Sequence, residues 1–89
     1  MGYELELSPN LVRKIHKFSL KDPSLMVSYE KKVEQIVSSD ENGLKHYKNL
    51  KGDMCHIKRV HIGHFVLLFT VSGNRIIFKD LVHHDDAYD

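Results

Sequence analysis

The hydrophobic pattern of this chain changes from a helical period to a strand period about halfway along its length. In the first half, two segments have apolar residues every three or four positions, and each begins with a capping residue followed by proline, as helices often do. Ser8-Pro9 predicts a helix over about residues 9–18, and Asp22-Pro23 predicts a second helix to about Ser39. Asn42-Gly43 then predicts a break with left-handed backbone angles. The two helices should form an antiparallel hairpin.

The second half of the chain has the pattern of β-strands. Residues 56–62 mix β-branched and polar side chains, residues 65–71 are almost continuously apolar, and residues 75–82 form a third run. The continuous apolar run is typical of a central strand that is covered on both faces. With the alternating residues 3–7 as an N-terminal strand, the predicted order is β-α-α-β-β-β. We therefore expect an α+β fold in which the helical hairpin packs on a small, mostly antiparallel sheet.

The length of 89 residues allows one hydrophobic core, so we expect a single domain over residues 1–89. The apolar run at residues 65–71 is far shorter than the roughly 20 residues of a membrane span, and the first residues lack the pattern of a signal peptide. Cys55 is the single cysteine, which excludes an internal disulfide. We expect it to be a buried structural thiol rather than a nucleophile. These features predict a cytoplasmic protein without a membrane partner.

The charges are separated along the chain although their sum is close to zero. The sequence has 13 Lys and Arg against 12 Asp and Glu, a formal net charge of +1. Residues 44–59 hold five basic residues against Asp53 alone, a local charge of +4, whereas residues 80–89 hold four Asp and no Lys or Arg. A cationic patch suits a phosphate backbone, but charged runs are often simply solvated surface. The charge pattern alone leaves both interpretations open.

Seven histidines in a chain of this size offer groups that change charge near neutral pH. Their spacing does not fit a zinc site, and no Cys-x-x-Cys or His-Glu-x-x-His motif is present. We therefore expect neither a metal nor another cofactor. Imidazoles suit general acid–base catalysis, such as RNA cleavage by the substrate's own 2′-hydroxyl, where one group takes the hydroxyl proton and another protonates the leaving 5′-oxygen. Arg or Lys would stabilise the charge that develops on the phosphate.

Four short segments in the second half resemble the RelE/ParE toxin superfamily and, within it, the RelE and YafQ-type messenger-RNA interferases. The first three resemble the family's Leu-x-Gly turn, its Arg-Val-x-x-Gly strand and its apolar central strand. The fourth resembles its C-terminal basic or His residue followed by an aromatic residue. The segments are Leu50-Lys51-Gly52-Asp53, Arg59-Val60-His61-Ile62-Gly63, residues 65–69 and His83-His84-Asp85-Asp86-Ala87-Tyr88. Through the predicted element order, the resemblance covers nearly the whole chain.

This resemblance implies the toxin of a type II toxin–antitoxin system, with a cognate antitoxin as partner. It also implies an endoribonuclease that cuts mRNA in the ribosomal A site without a metal. His61 and His84 fall on YafQ-type histidines of the acid–base pair, and Arg59 falls near the basic strand residues that RelE enzymes use on phosphate. We predict His61, His84, Arg59, Tyr88 and His83 as catalytic residues. We predict Lys51, Lys58, Lys48 and His64 as substrate-binding residues, and the three lysines belong to the basic segment 44–59.

One departure from the RelE pattern favours a histidine-based mechanism. The second Arg that is common after the glycine in RelE enzymes is replaced here by Phe65 and Val66. His46 resembles a further YafQ-type histidine, but two extra residues separate it from the Leu-x-Gly turn. Two alternatives stay open, namely a ParE-type toxin that binds DNA gyrase without cutting nucleic acid, and an inactive family member that only binds its antitoxin.

Overall fold

Five strands form one sheet, and two long helices pack against it. The computed structural model describes residues 3–87. The helices are α1 (Pro9–Lys21), α2 (Pro23–Val37), α3 (Glu41–Leu44) and α4 (His84–Ala87), and the strands are β1 (Glu4–Leu7), β2 (Lys48–Asn49), β3 (Lys58–Ile62), β4 (Phe65–Ser72) and β5 (Arg75–His83). The spatial order is β1-β5-β4-β3-β2, and among the strands of residues 3–87 only the β1–β5 pair is parallel. The predicted α+β fold, its mostly antiparallel sheet and its central apolar strand are confirmed.

The two long helices begin where the sequence predicts, because each has a side-chain cap ahead of its proline. Leu11 N donates to Ser8 Oγ at 3.1 Å, and Leu25 N donates to Asp22 Oδ1 at 3.1 Å. α1 continues to Lys21, beyond its predicted end, so that Asp22 alone joins the helices. At 15 residues α2 is the longest helix, and no helix within residues 3–87 is long and apolar enough to cross a membrane.

The predicted break at Asn42-Gly43 is wrong. Both residues lie inside α3, and Gly43 does not have a positive φ. Asp40 caps this short helix by accepting a hydrogen bond from Gly43 N at 2.7 Å. A Cβ atom on residue 43 would lie 3.3 Å from both Asp40 Oδ1 and Ser39 Cβ. Glycine is therefore favoured here because the cap approaches closely, and not because the backbone is left-handed.

The prediction that Cys55 is buried is also wrong, since this residue is exposed. It follows a single 3₁₀ turn at Gly52–Met54, in the connection between β2 and β3. All of residues 51–56 are exposed. A connection of this kind runs over the surface because its backbone groups need water or local partners. Cys55 therefore contributes nothing to the hydrophobic core.

The side of the sheet that α1 and α2 cover, which we call the helix face, contains the hydrophobic core. Phe69 and Phe78 are its largest fully buried side chains, and their ring centroids lie 5.7 Å apart. Leu11 of α1 and Ile36 of α2 are also fully buried. Tyr29 of α2 is 6% exposed. Its burial, with a smaller contribution from the neighbouring carboxylate of α2, raises the pKa of Tyr29 to about 12.

The opposite side of the sheet, which we call the open face, carries the side chains that alternate with those of the core. Directly opposed residues of neighbouring strands share a face, and the β3–β4 register pairs Arg59 with Leu68 and His61 with Val66 on this side. Val66 is fully buried although it faces away from the two long helices. The short α4 lies against β4 and β5 and helps to cover this end of the open face.

Candidate functional site

Two histidines that are distant in sequence meet at one end of the open face. His61 lies near the end of β3 and His84 directly follows β5, and their ring centroids are 5.3 Å apart with the planes tilted by 34°. Because β4 lies between these strands, the rings reach towards each other across its buried Val66. Both histidines are exposed. The fold thus brings two solvent-accessible imidazoles, 23 positions apart in sequence, into one site.

A β-bulge in β5 determines which of two adjacent histidines faces His61. Regular alternation from the core residue Phe78 would place His84 on the helix face and His83 on the open face. The pairing of β5 with β4 instead leaves Lys79 as an extra residue that has no partner on β4. An extra residue reverses the alternation beyond it. As a result, His84 lies on the open face and His83 on the helix face.

Local contacts hold the two adjacent histidines in these different positions. His84 N donates to His64 O at 2.8 Å, which ties the start of α4 to the β3–β4 turn. His83 packs edge-on against Phe65, with ring centroids 5.6 Å apart, and its Nδ1 accepts a hydrogen bond from Asp85 N at 3.3 Å. The Asp85 carboxylate lies 3.8 Å from His84 Nδ1 and 3.7 Å from His83 Nδ1. This carboxylate therefore lies near both imidazole rings.

An open groove of about 260 Å³ lies beside His61, at the β2–β3 edge of the sheet. Lys48 of β2 and Arg59 of β3 are directly paired, and Arg59 is two residues from His61, so all three side chains lie on the same face. The groove is lined by His46, Tyr47, Lys48, Arg59, Val60 and His61. Two cations next to an exposed imidazole suit an anionic ligand. Within residues 3–87, no group of three or more metal-ligating side chains comes together.

Comparison with known proteins identifies the family. A scan against protein-family models finds no match. The chain is 40% identical over 89 residues to "Putative toxin RelE4" of Methanocaldococcus jannaschii, which covers 97% of this chain and 90% of that protein. The chain belongs to the RelE toxin superfamily.

Solved toxin structures share the fold of this RelE-type protein. It aligns with the YoeB dimer of Staphylococcus aureus at a TM-score of 0.75 and 19% identity, over 94% of this chain and 99% of that chain. It also aligns with a chain of the E. coli DinJ–YafQ toxin–antitoxin complex at a TM-score of 0.73 and 13% identity, over 100% of both chains. The predicted resemblance to the RelE/ParE toxin superfamily is confirmed by the RelE4 relative, and the YoeB and YafQ structures confirm the fold.

The structure brings together only some of the site residues that the sequence predicts for this RelE-type toxin. His61, His84, Arg59 and Lys48 lie on the open face. Lys58 lies on the helix face, where its Nζ donates to the backbone oxygen of Tyr47 at 3.4 Å and to Asn49 Oδ1 at 3.2 Å. It also lines a separate cavity with residues of α3 and the β4–β5 turn. This placement separates Lys58 from the histidine pair.

Two further predicted residues, Lys51 and His64, do not line the groove beside His61. Lys51 is exposed and precedes the 3₁₀ turn. The His64 side chain lines a different groove of about 220 Å³ near the start of α2, although its carbonyl oxygen contacts His84 N. Tyr88 lies outside the described residues. His46, which sequence reasoning left without a role, lines the groove beside Arg59, and its place in the basic segment 44–59 was the signal for it.

Proposed function

We propose that this toxin is an endoribonuclease that cleaves mRNA by metal-independent acid–base catalysis at His61 and His84. The observation that carries the proposal is the close approach of these two exposed imidazoles, with 5.3 Å between ring centroids. RNA cleavage by the 2′-hydroxyl requires two proton transfers at one phosphodiester, and each group must come within hydrogen-bond reach of its oxygen. The two imidazoles, one from β3 and one from the residue that follows β5, lie close enough together to act on one phosphodiester.

In the proposed reaction, one imidazole accepts the proton of a ribose 2′-hydroxyl. The 2′-oxygen forms a bond to the adjacent phosphorus while the bond from phosphorus to the 5′-oxygen breaks, and the second imidazole, which is protonated, donates its proton to the leaving 5′-oxygen. The products are a 2′,3′-cyclic phosphate and a 5′-hydroxyl. Imidazole suits both roles because it changes charge near neutral pH.

Arg59 and Lys48 would bind the phosphate backbone in the groove next to His61. Arg59 is the nearer of the two along the open face, so we assign it to the negative charge that builds on the phosphate oxygens during cleavage. A guanidinium suits this role because it stays charged and donates several hydrogen bonds in one plane. Lys48, on the edge strand, would contact the neighbouring phosphate.

We further propose that the mRNA is cut on the ribosome. The groove has a volume of only about 260 Å³ and is open to solvent, so it offers few contacts with which to position a free RNA strand. Correct orientation of the reacting atoms accounts for a large part of enzymatic rate enhancement. A strand that the ribosome already holds would supply this orientation.

An antitoxin is the proposed protein partner. The aligned YafQ chain comes from a toxin–antitoxin complex. On this chain, Val12 and Leu20 of α1 and Val27 of α2 are exposed apolar side chains, at 49%, 76% and 54%. An amphipathic helix recognises such a surface through its own apolar stripe. This surface lies on the helical layer, and the histidine pair lies across the sheet from it.

The test of the proposed chemistry compares three histidine variants. His61→Ala and His84→Ala should each lower mRNA cleavage in a reconstituted translation reaction by about 100-fold or more, as loss of an acid–base group does. The double variant should be little worse than the more damaging single variant, because the two groups act in one step. His16→Ala, an exposed histidine on α1, is the matched control and should cleave at the wild-type rate.

The outcomes separate the alternatives. Cleavage that survives in the double variant would show that the histidine mechanism is wrong. A wild-type toxin that leaves mRNA intact but inhibits DNA supercoiling would be a ParE-type gyrase binder. Normal growth on overproduction, with intact mRNA, would indicate an inactive member that only binds its antitoxin. Detection of 2′,3′-cyclic phosphate ends on the cut mRNA would support the proposed route.

A further inference from the structure

Beyond its bulge, β5 has no strand on its outer side within residues 3–87. β1 pairs with β5 only over Arg75–Phe78, and the later residues pair with β4 alone. The helix α1 replaces β1 there. Ser8 Oγ donates to Lys79 O at 2.6 Å, and Lys14 Nζ donates to Leu81 O at 3.4 Å. The strand segment that leads to the candidate site is therefore held on one side by β4 and on the other by α1.

Lys14 also binds a side chain in this segment. Its Nζ donates to Asp80 Oδ1 at 2.7 Å, and the same carboxylate oxygen accepts a hydrogen bond from Leu81 N at 2.9 Å. The two charged side chains are 35% and 26% exposed, so solvent screens this ion pair less than an ordinary surface pair. Asp80 therefore connects α1 to the backbone amide that directly follows the bulge.

We propose that Lys14 and Asp80 form a positioning pair that holds the end of β5 so that His84 lies against His61. The register of β5 on β4 supports this role. The bulge at Lys79 puts His84 on the open face, and the ion pair fixes the chain immediately after the bulge. Asp80 is four residues from His84, roughly 13 Å along an extended strand. The pair therefore acts through the β5 backbone, and it does not contact RNA.

The catalytic consequence of this pair rests on the proposed ribonuclease function, whereas its effect on the geometry of the site does not. Loss of the ion pair would let the end of β5 move relative to β4. A displacement of about 1 Å at a reacting group can lower a rate about 100-fold. The pair should therefore affect cleavage and the contact between the imidazole rings together.

The experiment measures both quantities in Lys14→Ala, Lys14→Arg and a matched control. In nuclear magnetic resonance spectra, ring-proton cross-relaxation between His61 and His84 should be clear in the wild type and greatly weakened in Lys14→Ala. mRNA cleavage by Lys14→Ala should fall by about 10- to 100-fold, and Lys14→Arg should restore both signals. The control, Arg75→Ala, removes ion pairs to two glutamates of β1 at the other end of the same strand. It should change neither readout.

Each result decides the proposal. A folded Lys14→Ala protein with wild-type cross-relaxation between the rings would overturn it, as would equal losses in Lys14→Ala and Arg75→Ala.

If Lys14→Ala does not fold, Asp80→Asn takes its place, because an amide oxygen can still accept from Leu81 N while the ion pair is lost. Weakened cross-relaxation in Asp80→Asn then supports the pair, and an unchanged signal overturns it. A wild-type protein that shows the ring contact but no cleavage would contradict the ribonuclease function and leave the geometric result standing.

Discussion

The two faces of the sheet place different requirements on the residues that occupy them. On the helix face, Phe69 and Phe78 are fully buried against α1 and α2, so shape and hydrophobicity determine which side chains fit. On the open face, Arg59 and His61 are at least partly exposed, and hydrophobic packing does not explain their presence. Alternate residues of the same strands thus form the hydrophobic core and the candidate site.

The contrast is sharpest in β3, where two adjacent cations serve different faces. Lys58 bonds to Tyr47 O and Asn49 Oδ1 on the helix face. Arg59 pairs with Lys48 on the open face and lines the groove beside His61. Neighbouring residues of one charge can therefore have unrelated roles, because successive strand side chains point in opposite directions.

The largest expected effect is a loss of stability from a substitution that creates a cavity on the helix face. Phe69→Ala should lower the free energy of unfolding by about 3–5 kcal/mol, because a fully buried ring is lost and its neighbours relax only partly. Urea denaturation of the purified protein measures this change. Leu20→Ala, which removes a side chain that is 76% exposed, should change the same free energy by less than about 0.5 kcal/mol. Similar losses in both variants would contradict the assignment of the core.

The second largest effect is expected in mRNA cleavage, for a substitution on the open face but not for its neighbour on the helix face. Arg59→Ala should lower mRNA cleavage by about 100-fold, because the charge on the phosphate loses a hydrogen-bonding cation. Lys58→Ala, one residue away and equal in charge, should retain nearly all cleavage. The cleavage assay with both variants at equal concentration makes the comparison. A larger loss of cleavage for Lys58→Ala than for Arg59→Ala would contradict the assignment of these two cations to different roles on the two faces.

The smallest expected effect is on the pH dependence of stability, through Tyr29 of α2. Burial raises the pKa of Tyr29 to about 12 from its ordinary 10.0, so folding favours the neutral phenol. This stabilisation is complete below pH 10 and is lost as the pH rises through 12. From pH 9 to pH 12.5, the wild type should therefore lose on the order of 2 kcal/mol more stability than Tyr29→Phe. Parallel stability curves for the two proteins would show that the buried phenol does not titrate in this way.

Elements that depend on local signals could be predicted from the sequence. The caps at Ser8 and Asp22 lie directly before prolines, and both helix starts follow from those few residues. The last turn of α1 was missed because Ser19, Leu20 and Lys21 are all exposed and so extend no apolar stripe. The two-residue β2 is too short to show any period, and the α3 cap depends on the approach of Asp40 to Gly43.

The candidate site could be predicted by residue type but not by geometry. The resemblance pointed to His61 and Arg59, and the alternation in β3 places them together. The resemblance also pointed to His84, but the strand pattern could not show which of His83 and His84 lies on the open face, because that depends on Lys79, which has no partner on β4. Regular alternation favours His83 on the open face, and the structure places His84 there. Only the tertiary pairing with β4 reveals that reversal.

The parallel pairing of β1 with β5 has a consequence for synthesis of the toxin. Glu4 is aligned with Arg75, which lies 71 positions later in the sequence, so β1 cannot pair with β5 until that later strand has been synthesised. Contacts between such distant residues slow folding, because a long chain segment must be ordered before they form. The helical hairpin, joined by Asp22 alone, can form early from local contacts. The sheet that brings His61 beside His84 can close only after β5 has left the ribosome, so the histidine pair forms late in the synthesis of this domain.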